Sequence, residues 1–240
     1  MSGKTNTFLP LIFAALFIFI FAGCSDDGPT GNDDPDQIAE RVVEDADGNI
    51  YRTVKIGDQT WMAENLRVTH YRNGDPILHA SEKTAWNGLE SGAYCVYQCD
   101  SDNAGTLGHL YNWYAVSDER NIAPAGWHVP TEEDWNELIT FLGGEAEAGG
   151  KLKMTGTEFW QSPNTGATDA YRFSAVACGY RHHAGGFFNL GQACYMWSAT
   201  ERNSYSAWFR NLTSTSGAVV RYIYSSSKNN GYSVRCVKDK

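Results

Sequence analysis

The hydrophobic and polar positions divide the chain into an apolar leader, an acidic stretch and a long region of mixed pattern. Lys4 precedes an uncharged apolar run over residues 8–22, which is shorter than the ~20 residues that a membrane-spanning helix needs. The small residues Ala22 and Gly23 follow, directly before Cys24. This order of charge, apolar run and small residues predicts an export signal over residues 1–23.

Beyond residue 44, apolar positions alternate in short stretches and take helical spacing in two places. The alternation predicts strands at 51–56, 59–62, 173–180, 194–199, 207–212, 218–224 and 232–237. A short helix is predicted over 108–117. A second follows Pro130, because Thr131 can cap it and apolar residues recur at i, i+3, i+4 and i+7 before Gly143. Two helices between an N-terminal hairpin and a C-terminal sheet indicate an α+β fold.

Aromatic residues are abundant, with 8 Trp and 13 Tyr, which favours a loop-rich fold packed by its rings. Five tryptophans with periodic apolar neighbours are predicted to lie in the core: Trp61, Trp113, Trp127, Trp135 and Trp197. His128 lies among buried-looking neighbours, so we expect a hydrogen-bonded framework residue there.

The stretch after Cys24 is strongly acidic. Six acids and no base lie between residues 25 and 40, among prolines and glycines, so this segment cannot bury enough apolar area to order itself. We interpret residues 24–44 as a tether and 45–240 as one globular domain. The net charge of the chain is −9 and no basic patch indicates a nucleic-acid partner.

Besides Cys24 the chain contains five cysteines, which would meet an oxidising compartment after export. The expected pairs are Cys178 with Cys194, and Cys236 with either Cys95 or Cys99. Because the number is odd, at least one thiol has no partner within the domain.

No metal or other cofactor is predicted. The cysteines lack the pairs of closely spaced ligands that are typical of zinc sites. Residues 45–49 are expected to form a turn rather than a calcium-binding loop. His182 and His183 point to opposite faces if their backbone is extended, so they cannot share one metal. Asp100, Asp102 and Asn103 fit either a hard cation or a polar turn.

Gly23-Cys24 after an apolar run resembles the lipobox of bacterial lipoproteins, in which the cysteine carries the lipid. Phe21 replaces the usual Leu, and the alternative is an ordinary secretory signal cleaved at another small residue. Asp26 and Asp27 resemble the surface-export signal of Bacteroidetes-type lipoproteins. The resemblance implies a protein held in the outer membrane by its lipid and exposed at the cell surface.

Seven segments in order carry a second resemblance: residues 53–66, 110–116, 124–131, 173–175, 178–181, 196–200 and 231–237, the third reading PAGWHVPT. Together they resemble the Fibrobacter succinogenes major paralogous domain over residues 45–238. The resemblance implies a C-type-lectin-like fold related to formylglycine-generating enzymes, with two helices, twisted, mostly antiparallel sheets and long loops. It implies no activity. Many relatives carry a cysteine where this chain has Ala123, so Cys236 needs another partner or none.

A candidate ligand face lies near the C-terminus, where residues 195–232 are rich in Ser, Tyr, Asn and Trp, as antibody-like contact surfaces are. The expected anchors and rim residues are Tyr205, Trp208, Tyr222, Tyr224, Asn203, Asn229 and Asn230. Alternation places Arg221 opposite Tyr222 and Tyr224. The alternative is that these residues only suit turns and a half-wet sheet, and Trp208 also suits a core position.

These patterns predict a surface-anchored, non-catalytic lipoprotein that recognises a glycan or a protein. One alternative is a structural envelope lipoprotein without a ligand. Another is an oxidase of the formylglycine-generating type. Those enzymes need two nearby cysteines close to the C-terminus, whereas only Cys236 follows Cys194 here.

The lipobox assignment predicts that Cys24→Ala abolishes palmitate labelling and detergent partitioning, because no other residue of the signal can accept the lipid. A variant with both Asp26 and Asp27 replaced by Ala should keep the lipid and lose protease accessibility on intact cells. If the Cys24→Ala protein is still labelled and membrane-bound, the lipobox assignment is wrong.

Overall fold

A computed structural model of the chain describes residues 42–221 and 227–240. The strands are β1 (Val42–Glu44), β2 (Ile50–Ile56), β3 (Gln59–Met62), β4 (Leu78–His79), β5 (Ala93–Cys95), β6 (Leu110–Tyr111), β7 (Trp127–His128), β8 (Cys178–Arg181), β9 (Phe187–Leu190), β10 (Ala193–Asn203), β11 (Ser206–Thr213), β12 (Val220–Arg221) and β13 (Val237–Lys238). The α-helices are α1 (Lys83–Trp86), α2 (Ala104–Leu107), α3 (Trp113–Val116), α4 (Glu132–Phe141) and α5 (Glu145–Leu152).

These strands form three small sheets. The first has the order β1-β2-β3-β13-β7 and joins both ends of the domain, since Val237 pairs with Trp61 and with His128. The second has the order β12-β11-β10-β8-β9, and the third β4-β5-β6. Neighbouring strands pair antiparallel except β4 with β5 and β8 with β10, which are parallel. Mostly antiparallel sheets with few helices confirm the predicted α+β class.

Strand β1 begins at Val42, within the segment 24–44 that is predicted to be a tether. Val42, Val43 and Glu44 pair with β2, and the turn between them is closed by Asp45, whose Oδ1 accepts from the backbone N–H of Asp47 and Asn49. The hairpin therefore begins three residues before the predicted domain boundary at residue 45. The predicted polar turn is confirmed.

The core contains all five predicted tryptophans, none more than 7% exposed. Trp61 and Trp135 lie in one cluster of buried side chains, with ring centroids 4.8 Å apart. Trp113, Trp127 and Trp197 lie in a second cluster. The first cluster also holds Trp86 and Trp160, which the periodicity did not identify.

The predicted helix after Pro130 is confirmed as α4. Thr131 accepts from the backbone N–H of Asp134, whose carboxylate in turn accepts from the backbone of Thr131, so the capping box is complete. The next helix, α5, was not predicted because Gly149 and Gly150 interrupt its pattern. Close packing requires these glycines, since a Cβ atom would lie 2.3 Å from the Ala218 carbonyl oxygen and 2.2 Å from that of Gly166, respectively.

Three predicted elements are shorter in the structure. The helix over 108–117 is reduced to α3, because Leu110 and Tyr111 form β6 and the Asn112 side chain caps the helix after them. In the stretch 173–180 only Cys178 onward is strand. The stretch 232–237 enters a regular strand only at Val237.

Buried cations explain why long irregular segments are stable inside this domain. Arg181 and Lys153 are 0% exposed and Arg235 is 1% exposed. Their donors reach backbone carbonyl groups: Ala80, Ser81 and Glu82 for Arg181, Thr165, Thr213 and Ser216 for Lys153, and Phe173 and Ser174 for Arg235. Except for Thr213, at the end of β11, these residues lie in loops outside the strands, where the cations help to satisfy the carbonyl groups.

His128 joins the C-terminus to helix α4, which confirms it as a framework residue. Its Nδ1 lies 2.7 Å from Asp239 Oδ1, and its Nε2 lies 3.1 Å from Asp134 Oδ2. The bond to Asp134, opposed by burial and aided by Asp239, raises the pKa of His128 above 6.5. The imidazolium therefore stabilises the fold.

This histidine predicts a pH-dependent difference in stability between the wild-type chain and His128→Gln. Because the folded-state pKa is raised, the stabilisation is complete below pH 6.5 and is lost as the pH rises through the folded-state value. The difference in free energy of unfolding should be about 0.5–1 kcal/mol near pH 6. Urea titrations at several pH values measure it.

Thr140→Gln is the control, since Thr140 is exposed on α4 and carries no ionisable group. Its difference from wild type should not vary over the same pH range. A His128→Gln difference that is constant from pH 6 to the alkaline side would contradict the assigned role.

Candidate functional site

The hairpin of β10 and β11 carries the exposed part of the predicted ligand face. At its turn, Asn203 Oδ1 accepts from the backbone N–H groups of Tyr205 and Ser206, each at 3.0 Å, and from Ser206 Oγ at 2.9 Å. Tyr205 is 83% exposed, the largest value among the exposed large hydrophobic side chains of the described residues. Asn203 thus shapes the turn, and Tyr205 points away from the domain.

The two faces of strand β11 have different environments. Ala207 and Phe209 lie in the second core cluster. Trp208 faces the other way and is half-buried. Its ring centroid lies 5.1 Å from the guanidinium carbon of Arg202 and 4.7 Å from that of Arg221. Trp208 is therefore a surface residue held between two cations.

Arg210 follows on the same face of β11 and is 0% exposed. Its Nη2 lies 2.9 Å from Asn136 Oδ1 and 3.1 Å from Glu132 Oε2. Arg221 Nη1 lies 3.2 Å from the same oxygen of Glu132. Burial lowers the pKa of Arg210, although the Glu132 carboxylate acts against this. We call Arg202, Trp208, Arg210, Arg221 and Glu132 the arginine–tryptophan face.

Sequence reasoning missed the arginines of this face. Arg221 was placed away from the ligand site, because only its own strand was considered. In the sheet it pairs with Arg210 on β11, which brings its side chain to Trp208. The sequence contained one usable signal. Trp208 and Arg210 are two residues apart on one strand, so their side chains lie on the same face.

The other two predicted rim asparagines, Asn229 and Asn230, lie away from the hairpin. Asn230 is 1% exposed, accepts from the His183 N–H and donates to the Tyr232 hydroxyl, so its assignment to the rim was wrong. Asn229 donates to the Leu89 carbonyl, and its own carbonyl accepts from Trp86 Nε1. Both side chains therefore connect the loop before Tyr232 to the backbone of other segments, at Leu89 and at His183. Tyr222 and Tyr224 lie outside the described residues.

The five cysteines of the domain are free thiols in the structure. Cys178 and Cys194 have their sulfur atoms 3.6 Å apart in the core, so this pair stays a prediction. The contact with Cys178, together with burial, raises the pKa of Cys194. Cys236 bonds with neither Cys95 nor Cys99, and it packs in the second core cluster whereas Cys95 packs in the first.

Residues with metal-binding side chains serve other purposes. His182 and His183 lie in a turn with ring centroids 3.9 Å apart, and Asp100 accepts from the backbone N–H of Asp102 as a helix cap. Within residues 42–221 and 227–240, no three His, Cys, Asp or Glu side chains are grouped so as to hold a metal ion. Over the same ranges, no helix has the length and apolar character to span a membrane.

A cleft of 320 Å³ lies on another part of the domain. Its floor includes Leu107, Trp160 and Leu190, and its rim includes Asn103 and Gln161. An apolar floor with a polar rim is a common form of ligand site. The cleft is therefore a second place to examine in any binding experiment.

The described residues thus define a mixed α+β domain with three small sheets and an exposed aromatic hairpin. The sequence matches the Fibrobacter succinogenes major domain family over residues 54–238, and the chain belongs to this family. The comparisons with curated proteins and with solved structures found no match. The function of the family is unknown, so membership leaves the role of the hairpin to physical argument.

Proposed function

We propose that this chain is a surface-anchored, non-catalytic lipoprotein that recognises a glycan or a protein through Tyr205 and the arginine–tryptophan face. The observation that carries the proposal is that two aromatic side chains on one hairpin lie outside the hydrophobic core. Tyr205 is 83% exposed and Trp208 lies outside both core clusters. Exposed aromatic side chains concentrate contact energy in recognition surfaces.

The proposal includes a C-type-lectin-like fold. It is supported by the family resemblance, by the two longer helices α4 and α5, and by mostly antiparallel sheets joined by long loops. In such a fold, connecting segments on a rigid framework carry the binding residues. The turn at Asn203, fixed by three hydrogen bonds, is a connection of this kind.

Anchoring at Cys24 and exposure at the cell surface belong to the same proposal and depend on the lipobox and on Asp26 and Asp27. A non-catalytic role agrees with the setting of Cys95 and Cys236. Burial raises the pKa of Cys95 to about 12 and also raises that of Cys236. The thiolate is the nucleophilic form of cysteine, so these two thiols are poor candidates for oxidase chemistry.

The test is to probe glycan and protein arrays with the full chain in detergent, and then to measure affinity and melting temperature for variants. Tyr205→Ala should weaken binding by at least about tenfold, as expected for an aromatic anchor. Its melting temperature should not change, because substitutions of exposed residues alter stability by less than about 0.5 kcal/mol. Trp208→Ala should weaken the same interaction.

Phe188→Ala is the matched control. Phe188 is 48% exposed and lies on β9, at the opposite end of the same sheet, so its loss should leave affinity unchanged. If binding is insensitive to Tyr205→Ala and Trp208→Ala but sensitive to Gln161→Ala, the cleft is the site and the hairpin is not. Arrays without any ligand would favour a structural envelope protein.

A further inference from the structure

We infer that the cleft beside helix α2 is a binding site for a small organic cation, an ammonium group attached to an apolar body. The cleft has a volume of 320 Å³ and is lined by parts of α2 and β9 and by residues 157–161. Small-molecule sites commonly have volumes of about 300–1,000 Å³. The inference goes beyond the proposed function and does not depend on it, because neither Tyr205 nor any residue of the arginine–tryptophan face lines this cleft.

One wall of the cleft is a loop that the domain holds in place from within. The buried Asn164 donates through Nδ2 to the carbonyl oxygens of Met154 and Gly156, at 2.9 and 2.8 Å. Trp160 is 1% exposed, and its Nε1 donates to the Ala175 carbonyl oxygen at 2.8 Å. The wall is therefore formed before a ligand binds, so little loss of conformational entropy opposes binding.

The rim of the cleft carries acceptor groups and one negative charge. Glu158 is the only ionisable side chain of the lining, and it is exposed, with no hydrogen bond or ion pair to the described residues. Asn103 uses its Nδ2 to donate to the Tyr97 carbonyl oxygen, so its amide oxygen is left as an acceptor. Gln161 supplies a second amide. An ammonium group has three donors and no acceptor, so it matches this rim, whereas Glu158 repels a carboxylate.

The cations around the cleft are already bound by other groups. Lys153 Nζ lies 5.3 Å from the centre of the Trp160 ring, and three backbone carbonyl oxygens accept from it. An adjoining cleft of 200 Å³ is lined by Arg52 and Arg235. Arg52 pairs with Glu64 at 3.2 Å, and Arg235 donates to one side-chain and two backbone oxygens. None of these cations lines the first cleft, so the charge that a ligand meets there is negative.

The floor of the cleft requires that the ligand also has an apolar body. Leu107 and Trp160 are buried there, and Leu190 adds an apolar side chain that is 39% exposed. Phe159 is half-buried in the same lining. Apolar contact supplies most of the affinity in such sites, and the few polar groups supply orientation and selectivity. A phenylethylammonium ion, with one ring and one ammonium group, has the chemistry that both parts of the cleft require.

The experiment titrates the full chain in detergent with three molecules of similar shape and different charge: 2-phenylethylammonium, 2-phenylethanol and 3-phenylpropionate. Binding is followed by NMR at the indole N–H signal of Trp160, which the Trp160→Phe variant identifies. The cation should bind about three- to fivefold more tightly than the alcohol, as expected for an exposed carboxylate, and the anion should bind more weakly than either. The preference for the cation should decrease as NaCl is raised from about 0.05 to about 0.5 M.

Two pairs of variants isolate the charge. Glu158→Gln should remove the preference for the cation and leave the affinity for 2-phenylethanol unchanged. Glu137→Gln is the matched control, since Glu137 lies on α4 and pairs with Lys240 at 2.8 Å, so the total charge changes equally and the preference should remain. Leu190→Lys should weaken binding of the cation more than Leu190→Gln does, because only the lysine adds a positive charge to the wall. Melting temperatures show whether each variant is folded.

The results that would overturn the inference are distinct. Equal affinities of the wild-type chain for the cation and the alcohol would overturn the choice of a cation. A preference that Glu137→Gln removes as well as Glu158→Gln would reduce it to general charge attraction and overturn the role of Glu158. A Trp160 signal that none of the three molecules shifts would overturn the cleft as a site. Recognition by the hairpin is tested separately, since Tyr205→Ala and Trp208→Ala should leave binding of 2-phenylethylammonium unchanged.

Discussion

The fold depends on buried cations that satisfy the carbonyl groups of its loops. A domain with short strands leaves many backbone acceptors without a ladder partner, and an unpaired buried carbonyl costs free energy comparable to a lost hydrogen bond. Lys153, Arg181 and Arg235 each donate to two or three backbone carbonyls, most of them in loops, from positions that are at most 1% exposed. Guanidinium and ammonium groups suit this task because each carries several donors in one compact side chain.

This arrangement also explains where an exposed site can form. Lys153 donates to Thr213 at the end of β11, and Arg181 ties β8, the strand that pairs with β10, to the loop at Ser81, so the base of the hairpin is fixed. Arg210 continues the pattern on the outer side of β11, but with a different result. Its acceptors are side chains, and two of its nitrogen atoms have none. The same type of buried cation that donates to loop carbonyls elsewhere is here bound to the side chains of Asn136 and Glu132.

Local patterns could be predicted from the sequence, and long-range pairings could not. The capping residue Thr131 and the spacing of apolar residues after it depend only on neighbours along the chain, and α4 was found from them. Helix α5 was missed because Gly149 and Gly150 are required by close packing against residues 218 and 166, which are distant in the sequence. Arg235 was missed for the same reason, since its acceptors lie about sixty residues earlier. At the candidate site, the composition of residues 195–232 indicated Tyr205 and Trp208, but only the sheet brings Arg221 to Trp208.

The free energy of unfolding of Arg235→Met tests the central claim most directly. Methionine keeps much of the side-chain volume and removes the donors to Phe173, Ser174 and Asn65. Since these acceptors remain buried, we expect guanidinium titration to show a loss of about 3–5 kcal/mol. Arg52→Met, which breaks only an exposed ion pair with Glu64, should cost no more than about 1 kcal/mol. If Arg235→Met is as stable as Arg52→Met, buried cations do not hold the loops of this fold.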